Sequence, residues 1–96
     1  MSEKDKANLY TILESCVKIG KFTKDINDTD EFFSDQKTFD AVLLNFVIIG
    51  ESVARLSKEF IEKNQHIPWI KIKSFRNIVV HDYFGVDAEE VWQIIF

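Results

Sequence analysis

The 96-residue sequence contains one cysteine, one proline and three glycines. A lone cysteine excludes an internal disulfide. Cys16 lies among Ile12, Leu13 and Val17 at helical spacing, which predicts a buried thiol in a reducing compartment. Long hydrophobic runs are also missing. "AVLLNFVIIG", residues 41 to 50, is too short to cross a bilayer and is interrupted by Asn45, and the opening "MSEKDKANLY" lacks a signal-peptide core. A cytoplasmic protein without a membrane partner is expected. Nor is there an excess of positive charge: the net charge of −4 excludes a grip on a phosphate backbone through global charge alone. No strand alternation, repeat or low-complexity segment is visible.

What is present is a 46% hydrophobic, 14% aromatic chain, a composition that predicts one compact domain over residues 1–96. Charge is uneven along it. Residues 25 to 35, "DINDTDEFFSD", hold five carboxylates and no base, whereas 66 to 83 hold Lys71, Lys73 and Arg76 against Asp82 alone. A local anion site is therefore compatible with the acidic whole.

Helical periodicity governs nearly every segment. Leu9, Leu13, Cys16 and Gly20, flanked by Ile12 and Ile19, predict a first helix over 3 to 24 that Ser2 can cap. The acidic stretch reads as a turn. A long second helix is expected over 36 to 63, apolar nearly all round in its middle and so covered on more than one side. Gly50 within it is unfavourable by about 1 kcal/mol relative to Ala, which implies close approach of another helix. "EKNQHIPW" is a break, with Pro68 at the first position of a new helix that Gly85 ends. Asp87 and Glu90 resemble a capping pair for a last helix from Ala88, its face made by Val91, Ile94 and Ile95. That helix is short, ends apolar and lacks a C-cap, so either a fragment or a partner that holds the end is expected. The fold class is all-α, an up-and-down bundle of four to five helices with a C-terminal helix cut short.

Into this apolar pattern the segment "SFRNIVVHDYFG", residues 74 to 85, introduces Arg76, Asn77, His81 and Tyr83. On a regular helix Arg76 and Tyr83 share a stripe, about 20° apart, and Asn77 and His81 share another. Arg76 and His81 are separated by about 140°, too far round to serve one small site easily unless the helix loosens near Gly85. A second copy across a two-fold axis would bring its own Arg and His to the same groove. The chemistry suits RNA phosphodiester cleavage: an imidazole exchanges protons near neutral pH with a 2′-hydroxyl or a leaving 5′-oxygen, and a guanidinium fork binds the phosphate and its developing charge. No metal or other cofactor is required. The plainer alternative is a helix-capping histidine and an Arg76 paired with Asp82 or Glu51.

The order of motifs carries a resemblance. "RNIVVHDYF", with Arg76, Asn77, His81 and Tyr83 in place, is similar to the Arg, four to six residues, His, then x-Tyr signature of the HEPN superfamily, and in particular of HepT-like toxins encoded beside minimal nucleotidyltransferase (MNT) antitoxins. "IGESVARLS" (49 to 57) resembles that family's "IGEA" segment, and "IPWIKIKSFRN" (67 to 77) its approach to the motif, so the likeness spans residues 40 to 95. It implies a dimerising helical bundle and a metal-independent endoribonuclease site at the interface, with Arg76 and His81 catalytic and Asn77 supporting. It also implies AMPylation of Tyr83 by the nucleotidyltransferase partner, which would place bulk and negative charge beside the arginine and exclude substrate phosphate.

Among the other candidates, Glu51 is placed to orient His81 or Arg76, or else is a solvated carboxylate. Lys73, with Lys71, extends a phosphate-binding surface or serves only solubility. His66 reads as structural, Asn45 as a buried hydrogen-bonding residue, and Trp69 and Trp92 as packing anchors, Trp69 with an option of base stacking. The leading expectation is a ribonuclease toxin acting as a homodimer on RNA, tRNA or mRNA, and neutralised by its nucleotidyltransferase. Two others compete: a non-catalytic helical partner and AMPylation substrate of such an enzyme, and a helical oligomerisation domain without chemistry.

Overall fold

The computed structural model describes residues 1–95. Six α-helices follow one another: α1 (Glu3–Thr23), α2 (Thr29–Ser34), α3 (Gln36–Ala54), α4 (Lys58–Lys63), α5 (Trp69–His81) and α6 (Ala88–Ile95), with a 3₁₀ turn at Tyr83–Gly85. Among the described residues there is no strand, so the all-α bundle holds. Four helices have eight residues or more, and the two six-residue helices, α2 and α4, raise the total above the expected four to five. No helix among them is long and apolar enough to cross a membrane.

The α2 helix overturns the reading of the acidic stretch as a turn. Asp28 caps it by accepting from Glu31 N–H at 2.9 Å, and Glu31 Oε2 in return accepts from Asn27 N–H at 3.3 Å. This reciprocal pair satisfies donors that a short helix otherwise leaves orphaned. The helix exists to deliver Phe32, which is 0% exposed and packs its ring 5.2 Å from Phe39 and 5.5 Å from Trp92. Phe32 thereby fastens α6 to the body of the fold. Val91 is fully buried and Ile95 partly so, whereas Ile94 is exposed; Phe96 lies outside the described residues. Asp87 accepts from Glu89 N–H at 2.9 Å, so half of the expected capping pair is in place.

The long helix expected over 36 to 63 is broken at residues 55 to 57. The apolar period runs on through buried Leu56 and half-buried Phe60, which is why sequence periodicity passes over the interruption. Ser57 makes it: its backbone is extended and its hydroxyl accepts from Phe60 N–H, starting α4. The same residue donates from N–H and hydroxyl to the Asp5 carboxylate at 2.8 and 2.6 Å, while Asp5 N–H donates to Ser2, the cap of α1. The start of α1 is thus tied to the end of α3, and the two helices run antiparallel.

On α1 the buried side carries Asp5, Ser15, Ile19 and Thr23, with Leu9 and Ile12 packed partly against the core. The expected stripe is rotated. Leu13, Val17 and Tyr10 are exposed, and so is Cys16, which corrects its reading as a buried thiol. The helix has two adjacent apolar stripes roughly 100° apart, and α3 packs on the one where small Ser15 and Thr23 permit contact. Thr23 donates its hydroxyl back to Ile19 C=O at 2.8 Å and so carries no unmet polar group into the interface.

Through α3 the core is shared: the helix packs against both α1 and α5 and buries Phe39, Val42, Leu43, Ile49 and Val53, with Phe46 and Gly50 facing α5. Phe46 and Phe75 stack edge to face at 5.1 Å on that seam. Cover on two sides is what its apolar girth demands. Asn45 is buried, donating to Ala41 C=O at 2.8 Å while its Oδ1 has no protein partner. Trp69 is buried, with its indole N–H on Asn64 C=O at 3.0 Å; both tryptophans act in packing, with Trp92 against Phe32.

Candidate active site on the seam of α3 and α5

The α5 helix begins one residue later than expected, with Pro68 outside it as the cap, and ends at His81 rather than at Gly85. Asp82 leaves helical geometry with φ −146°, and the 3₁₀ turn that follows re-aims Tyr83. The common stripe drawn for Arg76 and Tyr83 on a continuous helix is therefore interrupted between them. A Cβ on Gly85 would meet the tip of the Asp82 side chain, which can swing aside.

Arg76 faces α3. Its Nη1 donates to Glu51 Oε1 at 2.6 Å in a pair whose side chains are 23% and 43% exposed. The approach depends on Gly50, because a Cβ at that position would lie 2.4 Å from Arg76 Cβ. Close approach of a second helix at Gly50 was legible from the sequence, and Arg76 is the residue that comes in. Arg76 Nε is buried without a hydrogen-bond acceptor. With Nη1 on Glu51, the donors left for a ligand are those at the outer edge of the guanidinium. Of the partners considered for Arg76, Glu51 is found and Asp82 is not.

His81 is exposed, as are Asn77 and Lys73. These three fall at i, i+4 and i+8 on one stripe of α5, which places them together on its open side. Ile70 begins the same stripe at 81% exposure, and Ile78 and Val80 flank it half in solvent. The structure thus brings Lys73, Asn77 and His81 onto one face and holds Arg76 at its edge against α3. Lys71 and His66 are exposed as well. Among the described residues no group of three or more His, Cys, Asp and Glu side chains gathers as a metal-binding cluster.

Tyr83 lies at the other end of the seam. Its hydroxyl donates to Asp40 Oδ1 and accepts from Gln36 Nε2 at 2.8 Å, and Gln36 also donates to Asp40 at 2.8 Å. The bond to Asp40 raises the phenol above its ordinary pKa of 10.0, because the neutral O–H is the form that can donate to a carboxylate. Arg76 beside Glu51 and Tyr83 beside Asp40 show that α5 and the turn after it run antiparallel to α3. Gln36 and Asp40 were missed from the sequence. They are separated from Tyr83 by 47 and 43 positions, and nothing local to either marks the partnership.

The family described as "Ribonuclease HepT-like" matches residues 12–96. The chain belongs to that family. Two Methanocaldococcus jannaschii proteins named "Putative RNase" are 41% and 42% identical over 96 residues, covering 99% of this chain and 78% and 87% of their own lengths. A Thermococcus cleftensis protein named "Probable ribonuclease HepT" is 34% identical over 95 residues, 99% of this chain and 86% of that protein. No solved structure matches the chain. The expected class of enzyme, an endoribonuclease, agrees with the HepT-like assignment, as does the all-α bundle.

Proposed function

We propose that this HepT-like chain is a cytoplasmic, metal-independent endoribonuclease toxin that acts as a homodimer of single-domain subunits. The observation that carries the reading is the division of labour around α5: Arg76 is turned inward and fixed by Glu51, while His81 stands on the open face with Asn77 and Lys73. Neither group alone makes a site. A second copy docked on the exposed Ile70, Ile78 and Val80 surface would cover apolar area and bring a second Arg and His to the same groove.

In that groove His81 takes the proton of the 2′-hydroxyl or returns one to the leaving 5′-oxygen. The free edge of Arg76 binds the phosphate and the charge that develops on it. Glu51 keeps the guanidinium in place, Asn77 adds a hydrogen bond, and Lys73 draws in the backbone of the substrate. Tyr83 is the residue that an MNT-type nucleotidyltransferase antitoxin modifies with AMP, which adds negative charge on the same seam as the arginine and repels RNA approaching it.

The test is incubation of purified protein with total RNA and with tRNA in EDTA. Cleavage by the wild type, lost in Arg76→Ala and His81→Ala variants that melt normally, is the expected outcome. Equal cleavage by His81→Ala would sink the assignment. Light scattering at assay concentration should give twice the chain mass, and a monomer would remove the shared groove.

A further inference from the structure

Three polar side chains meet at the start of α3 in a way that ribonuclease chemistry does not use. The Tyr83 hydroxyl is held between Asp40, which accepts its proton, and Gln36, whose amide donates to both oxygens. The cluster lies in the first turns of α3, away from Arg76 and Glu51 on the later turns. It is open to solvent at Asp40 and Gln36, and beside it runs a cleft of about 180 Å³ lined by Phe33, Gln36, Phe39, Tyr83, Phe84 and Val86. Phe84 at its mouth is 97% exposed. A tyrosine needed only for packing would not require a carboxylate on its hydroxyl, and Phe39 already meets its ring edge to face at 6.5 Å.

We infer that Asp40 is the general base for nucleotidyl transfer to Tyr83, with Gln36 aligning the carboxylate and the phenol. The inference rests on the reading of Tyr83 as the AMP acceptor and adds the group that activates it. In the step, a lone pair on Tyr83 Oη forms a bond to the α-phosphorus of ATP while the bond from that phosphorus to the bridging oxygen breaks. Pyrophosphate departs with the bonding electron pair. The phenol proton passes along the existing hydrogen bond to the Asp40 carboxylate and from there to water. No oxidant or further reactant enters.

The chemistry favours a base at this position over a preformed phenolate. Asp40 makes ionisation of the free phenol harder, so the proton must leave as the phosphorus–oxygen bond forms, when the oxygen turns positive and its acidity rises steeply. A positioned carboxylate in that role contributes typically ~10²-fold or more. Tyr10, on the exposed side of α1, has no such carboxylate partner among the described residues and provides an internal reference within the same chain.

The experiment uses the full chain, a purified MNT-type nucleotidyltransferase, and magnesium ATP. AMP incorporation is followed by intact mass, and its site by peptide mapping, for wild type, Tyr83→Phe, Asp40→Asn and Gln36→Ala, each confirmed folded at the assay temperature by circular dichroism. Wild type modified at Tyr83, with Asp40→Asn slowed at least ~30-fold at saturating ATP and Gln36→Ala slowed less, supports the inference. Modification of Asp40→Asn at the wild-type rate overturns it and leaves Tyr83 as acceptor intact. A wild type that takes no AMP at Tyr83 removes the acceptor reading, and the inference with it.

Discussion

Gly50 and Arg76 touch so closely that a single added carbon on the glycine would lie 2.4 Å from the arginine Cβ and 2.5 Å from its Cγ. The atoms in the way are at the base of the arginine, next to the backbone, and cannot swing aside as a side-chain tip would. Gly50→Ala must therefore push α5 off α3. Its helix-propensity gain of about 1 kcal/mol is set against an overpacking cost of about 1–3 kcal/mol. Urea unfolding should show a net loss of stability, and RNA cleavage should fall further than stability does, because the guanidinium moves with its helix.

Glu51 fixes the arginine through a pair that is partly open to solvent, so its energetic value lies near the upper end for exposed pairs, about 1 kcal/mol. Glu51→Gln should lower stability by roughly that amount and lower cleavage by at least ~10-fold, since each 1.4 kcal/mol of lost transition-state stabilisation is tenfold in rate. Glu51→Asp, which keeps the charge but shortens the reach, should recover less than half of the loss. Equal rates in all three proteins would mean that the pair serves folding only.

Phe32 is the sole fully buried residue of α2. Phe32→Ala should destabilise by about 3–5 kcal/mol, a large part of the 5–15 kcal/mol available to a small domain. Hydrogen exchange should show α2 and α6 losing protection ahead of α1 and α3.

Acid should weaken the fold where Asp5 binds Ser57. The Ser57 hydroxyl, then its N–H and Ser2, hold this carboxyl below its ordinary value of 3.8. Because the folded pKa is the lower one, the contribution is present above the unfolded value and vanishes as pH falls through the folded one. Asp35, held low by Thr38, adds to the same limb. Stability of the wild type should thus decline as pH drops below about 4, and Asp5→Asn should start less stable at pH 7 and decline less steeply, as read by urea midpoints.

Alkali tests the other cluster. Tyr83 has its folded pKa raised by Asp40, so its bond stabilises the protein below the ordinary phenol value and is lost as pH climbs through the folded one. In a Tyr10→Phe background, ultraviolet titration should show the remaining tyrosine ionising above 10, and Asp40→Asn should bring it down.

Much of this was legible beforehand because it was local. The Gly50 contact follows from a costly glycine in an apolar helix, and the Glu51 and Arg76 pairing was one of the two pairings that the sequence offered for the arginine. Other features hid behind hydrophobic period. Leu56 and Phe60 keep the beat across the break that Ser57 makes, so one helix was expected where there are two. Leu13 and Cys16 belong to the stripe of α1 that α3 does not use. The α2 helix had a signal that went unread, Asp28 followed three positions later by Glu31. Asp40 and Gln36 had none, since only the folded chain carries Tyr83 to them.

Because Asp40 and Glu51 stand eleven positions apart on the unbroken α3, one rigid rod spaces the two carboxylate residues that hold phenol and guanidinium by about 16 Å along its axis. That spacer has no hinge in it. A strain applied at either end, by a bound subunit or an attached nucleotide, is carried to the opposite end as rotation or sliding of the whole rod.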